Sequence, residues 1–104
     1  MVKPCISLTA VSEIIDCLSI LQKKKEIGAF LRDLLTEQEL LEISRRWEAA
    51  KLLSEKVSYV QIGKQTGLSS TTIARVSRWL KDGKGGYRRA IQLATKLKAK
   101  RAPA

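Results

Sequence analysis

Five residues constrain the chain more than any others: Ile62, Gly67, Leu68, Ile73 and Val76, the last four lying 5, 6, 11 and 14 positions after the first. They sit in "SYVQIGKQTGLSSTTIARVSRWLKDG" (58–83). Two short helices packed steeply over a tight turn need a residue that accepts positive φ at the turn, and apolar pins on both sides of it. Gly67 meets the first requirement. Ile62, Leu68, Ile73 and Val76 meet the second. Gly63 is read as the place where the two helices touch without an intervening side chain. The spacing therefore predicts a helix-turn-helix, with Ser58 capping a helix to about Thr66 and a second helix from about Ser70 to Asp82.

The remainder reads as helix too. Val11, Ile14, Ile15, Leu18 and Leu21 follow the 3, 4 spacing of an amphipathic helix, and Ile27, Phe30, Leu31, Leu34 and Leu35 form a second, shorter apolar face beyond the polar Gln22–Lys25 stretch. Thr36-Glu37-Gln38-Glu39 fits a capping box. It opens a long helix with Leu40, Ile43, Trp47, Ala50 and Leu53 inward. Gly83, Gly85 and Gly86 end the second motif helix, and Tyr87 to about Lys98 forms a last basic helix. Proline occurs only at positions 4 and 103, and no useful strand alternation exists, so the fold class is all-α. One domain is expected over residues 1–98, with 99–104 a disordered basic tail. The apolar faces of the first three helices are broad for 104 residues, which favours a homodimer.

Charge is distributed unevenly. Residues 1–57 hold nine Lys/Arg and nine Asp/Glu, whereas residues 58–104 hold eleven Lys/Arg and a single acid, Asp82. The whole excess of +10 thus accompanies the helix-turn-helix. Such an asymmetry points to a polyanion, with double-stranded DNA first and an acidic membrane surface second. The chain has no His, and Cys5 and Cys17 lack metal-ligand spacing, so a metal site, a cofactor or His-based catalysis is not expected. Both cysteines read as reduced thiols, Cys17 packed on a helix face. No apolar run is long enough for a membrane span or signal peptide, which gives a cytoplasmic expectation, with nucleoid association when DNA is bound.

With the pins inward, the outward residues follow by elimination. The start of the second helix presents Ser69, Ser70, Thr71, Thr72 and Ala74, whose hydroxyls can donate to phosphates or base edges and whose methyls can touch thymine. Capping is the competing use of each hydroxyl. Arg78 and Lys81 suit phosphates, and Arg75 can face the body instead. Tyr59, Gln61, Lys64 and Gln65 on the first motif helix can reach the backbone of DNA.

From "RRWEAAKLL" (45–53) through residue 83, and again in "GGYRRAI" (85–91), the chain resembles the Trp repressor superfamily, particularly its YerC/YecD-type branch. The resemblance spans about residues 10–95. It implies six helices, an intertwined homodimer and two recognition helices in successive major grooves, the docking known for helix-turn-helix dimers, the Trp repressor among them. In tryptophan-responsive members two arginines hold the corepressor, and a Gly and a Ser line its indole slot. Arg46 and Arg75 match the arginines; Val76 replaces the Gly and Trp79 the Ser. Those larger side chains would occupy the ligand's space. Tryptophan is therefore not an expected effector, and Trp79 reads as a core residue or as a built-in plug. The resulting expectation is a dimeric DNA-binding repressor and not an enzyme. A low-specificity DNA-coating protein is the alternative, and the DNA-binding module of a recombinase is a weaker third reading.

Overall fold

The computed structural model describes residues 8–101. Cys5, both prolines and the last three residues of the expected tail lie outside this span. Six helices follow one another: α1 (Leu8–Ile20), α2 (Lys24–Leu34), α3 (Glu37–Ser54), α4 (Tyr59–Thr66), α5 (Ser70–Asp82) and α6 (Gly86–Arg101). No strand occurs among the described residues. The chain divides into two compact units between Leu40 and Leu41, inside α3.

The first unit holds α1, α2 and the start of α3. α2 begins at Lys24, inside the stretch read as an interruption, because Lys24, Lys25 and Glu26 are good helix formers needing no apolar partner. Thr36 and Glu39 form the expected capping box. The Thr36 backbone N–H donates to Glu39 Oε1 at 2.9 Å, and the Glu39 N–H donates to Thr36 Oγ1 at 3.1 Å. These bonds hold the Glu39 carboxyl below its ordinary range, the backbone bond contributing most. No described residue of this unit is buried; Val11, Ile14, Ile15, Ile20 and Leu34 are exposed, and so, against the expectation of a packed thiol, is Cys17, because no element covers its face of α1 within this unit.

In the second unit the core is small and continuous. Ala49, Ala50 and Leu52 of α3 meet Ile62 of α4 and Ile73 and Val76 of α5, with Leu53, Val57, Leu68, Tyr87 and Ile91 packed around them. One of the five inward expectations on α3 needs correction. Ile43 is half exposed, while Leu40, Trp47 and Leu53 are partly covered and Ala50 is buried, because burial on α3 concentrates near its C-terminal end where α4 to α6 gather. There two alanines allow close approach. α3 ends in a Schellman motif: the Val57 N–H donates to Leu52 O at 3.0 Å and the Lys56 N–H to Leu53 O at 3.1 Å. Lys56 takes the left-handed position at φ 66°, where glycine is usual. At the other end of the chain, α6 runs three residues beyond the expected Lys98 boundary, through Arg101, since Ala99, Lys100 and Arg101 all favour helix.

Candidate nucleic-acid interface

The helix-turn-helix is built by four local interactions. Ser58 Oγ accepts from the Gln61 N–H at 3.2 Å and starts α4. Gly67, at φ 76°, closes α4, its N–H donating to Gly63 O at 2.8 Å. Thr66, nearly buried, ties the turn from inside: its hydroxyl donates to Ile62 O at 2.7 Å and accepts from the Leu68 N–H at 3.2 Å. Sequence reasoning passed over Thr66, although a Thr two residues before the first turn residue after glycine is a recognisable hydroxyl-turn signal. Ser69 then caps α5, accepting from the Thr72 N–H at 3.2 Å.

Gly63 corrects an expectation. A Cβ added there would sit 3.6 Å from Leu68 O and 3.9 Å from Ile73 Cδ1, which is ordinary contact. The α4–α5 approach therefore does not require glycine at this position. Gly83 is different, since a Cβ there would collide with the Trp79 carbonyl to which its own N–H donates.

The four pins Ile62, Leu68, Ile73 and Val76 all face inward, Leu68 only partly covered. Consequently Tyr59, Lys64, Ser69, Ser70, Thr71, Ala74, Arg78 and Lys81 are exposed. The hydroxyls separate into two groups. Ser69 is engaged as the cap and also donates to Thr72 Oγ1 at 3.0 Å, and Thr72 is half buried, so this pair is partly committed to starting the helix. Ser70 and Thr71 make no side-chain hydrogen bond among the described residues and are exposed with Ala74. Positions 70 and 74 are neighbours on the helix surface, and 71 and 78 lie two turns apart on an adjoining face.

On the opposite flank of α5, Arg46, Arg75, Val76 and Trp79 do come together. With Thr72 and Tyr87 they line a cleft of about 230 Å³. Val76 is buried at its floor. Trp79 is 58% exposed, neither a core residue nor on the inward side of α5. Its position three residues after Val76 rotates it outward to the rim, so the cleft is narrowed and not sealed. Arg46 pairs with Glu42, one turn earlier on α3, at 3.5 Å. Glu48 pairs with Lys51 at 2.8 Å. The Arg75 guanidinium has no partner among the described residues.

Arg88 is a structural residue that sequence reasoning did not identify. Its Nε donates to Leu80 O at 2.9 Å, and its Nη2 donates to Lys81 O. A guanidinium on the last carbonyls of α5 satisfies orphan acceptors and complements the helix dipole. It also fixes the start of α6 against the end of α5. No local spacing announces such a bond seven or eight residues back.

The sequence profile of the Trp repressor protein family matches residues 9–95. This chain belongs to the Trp repressor family. It is 39% identical over 75 residues to the uncharacterised protein YerC of Bacillus subtilis (strain 168), covering 70% of this chain and 72% of YerC. The fold is similar to that of a TrpR-like protein from Eubacterium eligens, with a TM-score of 0.80, 34% identity, and coverage of 86% of this chain and 93% of that one. It is also similar to a candidate Trp repressor from Staphylococcus aureus, with a TM-score of 0.78, 29% identity, and coverage of 86% and 90%. Family and fold together place the chain among helix-turn-helix DNA-binding regulators. Among the described residues no helix is long and apolar enough to cross a membrane.

Proposed function

We propose that this chain is a sequence-specific transcriptional repressor that binds operator DNA as a homodimer. The observation that carries this reading is the exposed group at the start of α5. Ser70, Thr71 and Ala74 are exposed and unengaged at the N-terminal end of a helix braced by Ile73 and Val76. These are the readers. Arg78 and Lys81, together with Tyr59 and Lys64 of α4, are the phosphate contacts, and the net charge of the half that bears them supplies the long-range attraction. Ser69 and Thr72 contribute through the cap, with any remaining hydrogen-bonding capacity turned to the backbone.

Dimerisation is supported by the first unit, where amphipathic helices leave Ile14, Ile15, Ile20 and Leu34 exposed with no buried side chain to anchor them. Free tryptophan is not the effector in this reading. The cleft beside Arg46 and Arg75 falls below the roughly 300–1,000 Å³ of ordinary small-molecule pockets, and Val76 occupies its floor.

Selection from a random duplex pool, followed by affinity measurement at fixed salt, tests the reading. A regulator gives a specific-to-nonspecific ratio of at least about 10³. A ratio near unity favours the DNA-coating alternative. On the selected site, Thr71→Ala lowers discrimination by about 1–3 kcal/mol, while Arg78→Ala weakens all duplexes alike. Calorimetry with tryptophan gives no heat of binding, and the paired change Val76→Gly with Trp79→Ser opens the slot.

A further inference from the structure

A second cleft, of about 560 Å³, lies on the other flank of α5 from the Arg46–Arg75 cleft. Lys56, Tyr59, Ser77, Lys81 and Arg88 line it, with Leu80 among its apolar walls and no acidic side chain. We propose that this cleft seats a backbone phosphate of the bound DNA, beside the bases read by the start of α5, with Lys56 and Ser77 as the residues that hold it.

Two independent observations support the assignment. Ser77 is only 7% exposed, yet its hydroxyl makes no hydrogen bond among the described residues. No side-chain oxygen there is both sealed from solvent and unpartnered, so this hydroxyl opens onto the cleft. A donor left free in a nearly buried position, among cations, fits an anionic oxygen. The second observation is Lys56. The Schellman motif of α3 needs a left-handed residue, and glycine adopts that conformation without the steric cost a lysine bears. The lysine held there lines the cleft. Backbone strain of this kind collects where a side chain is needed.

The occupant follows from place and charge. Ser70, Ala74, Ser77 and Lys81 lie along one flank of α5, and Ser77 is about 10 Å from Ser70 along the helix axis at 1.5 Å per residue. The cleft thus continues the surface that reads DNA, a few phosphate spacings away. Tyr59, the first residue of α4, brings the positive end of that helix to its edge. Arg88 is engaged with the α5 carbonyls and shapes the wall, which leaves Lys56 and Lys81 as the free cations.

This inference rests on the DNA-binding reading, and its test separates the two. Lys56→Gly and Ser77→Ala are compared with the wild type on a selected duplex over a series of salt concentrations. Loss of one phosphate contact in Lys56→Gly lowers the salt slope by about 0.9. It does so on selected and unselected duplexes alike, while the thermal midpoint holds or rises as strain is relieved. Ser77→Ala, which removes a neutral donor, weakens binding about two- to tenfold with the slope unchanged. A single neutral methylphosphonate at the contacted position makes wild type and Lys56→Gly indistinguishable. An unchanged slope in Lys56→Gly, with wild-type binding intact, overturns the phosphate seat alone. A lowered midpoint in Lys56→Gly overturns the strain on which it is argued. Failure of the wild type to bind any duplex overturns the seat and the regulatory reading together.

Discussion

Gly63→Ala should stabilise this protein, against the first expectation from the sequence. Gly63 lies inside α4, where glycine is less favourable than alanine by about 0.8–1.0 kcal/mol. The new methyl would meet Leu68 O at 3.6 Å and Ile73 Cδ1 at 3.9 Å, so nothing has to move. The site is partly covered, and the methyl would gain part of the roughly 0.8 kcal/mol of a buried methylene. The expected net is about 1–1.5 kcal/mol, or a rise of roughly 4–12 °C in midpoint for a domain of this size. Urea denaturation and thermal melts at one fixed protein concentration measure it, since a dimer's midpoint moves with concentration. Because α4 and α5 keep their spacing, affinity for a selected duplex should not change. Gly63→Leu is the control: a much larger side chain beside Leu68 and Ile73 overpacks the contact, so it should lose stability. Refutation is a Gly63→Ala protein less stable than the wild type, which would mean that the two helices need the missing side chain after all.

Gly67→Ala should destabilise by about 1 kcal/mol or more, because φ of 76° is strained for any Cβ although nothing lies within 4 Å of it; a denaturation curve that does not shift would contradict this. Ser69→Ala should cost about 0.5–2 kcal/mol of stability by removing the α5 cap, whereas Ser70→Ala should leave the melt unchanged and alter only DNA discrimination. Glu39 is held below its ordinary value of 4.5 in the folded protein, so its contribution to the start of α3 is complete above that value and lost as pH falls through the depressed one. An NMR titration should show Thr36→Ala, which removes the hydroxyl but keeps the backbone N–H, returning the Glu39 carboxyl only part of the way toward its ordinary range; a complete return would mean that the backbone bond is not the larger cause.

What the sequence determined by itself is local. Caps act over three residues, so Thr36 with Glu39 and Ser58 with Gln61 were readable from their spacing, and so were the bounds of α4 and α5. A glycine between apolar pins sufficed for the turn, because positive φ is a property of the residue and not of its neighbours. The exposed row at the start of α5 followed by elimination once the pins were known. The side-chain contacts that cross between elements needed tertiary structure. Trp79 and Ile43 are apolar at helical spacing, yet both are at least half exposed, since periodicity marks a face without saying whether another element covers it. Ser69 and Thr72 had hydroxyls available for either cap or DNA, and the bond between them decided in part for the cap. Arg88 reaches the end of α5 only because α6 folds back beside it. The cleft that joins Lys56 to Ser77 brings together residues 21 positions apart. Neither has a sequence neighbour that implies the other; only the packing of α3, α4 and α5 around one small core places Lys56 and Ser77 in the same cleft.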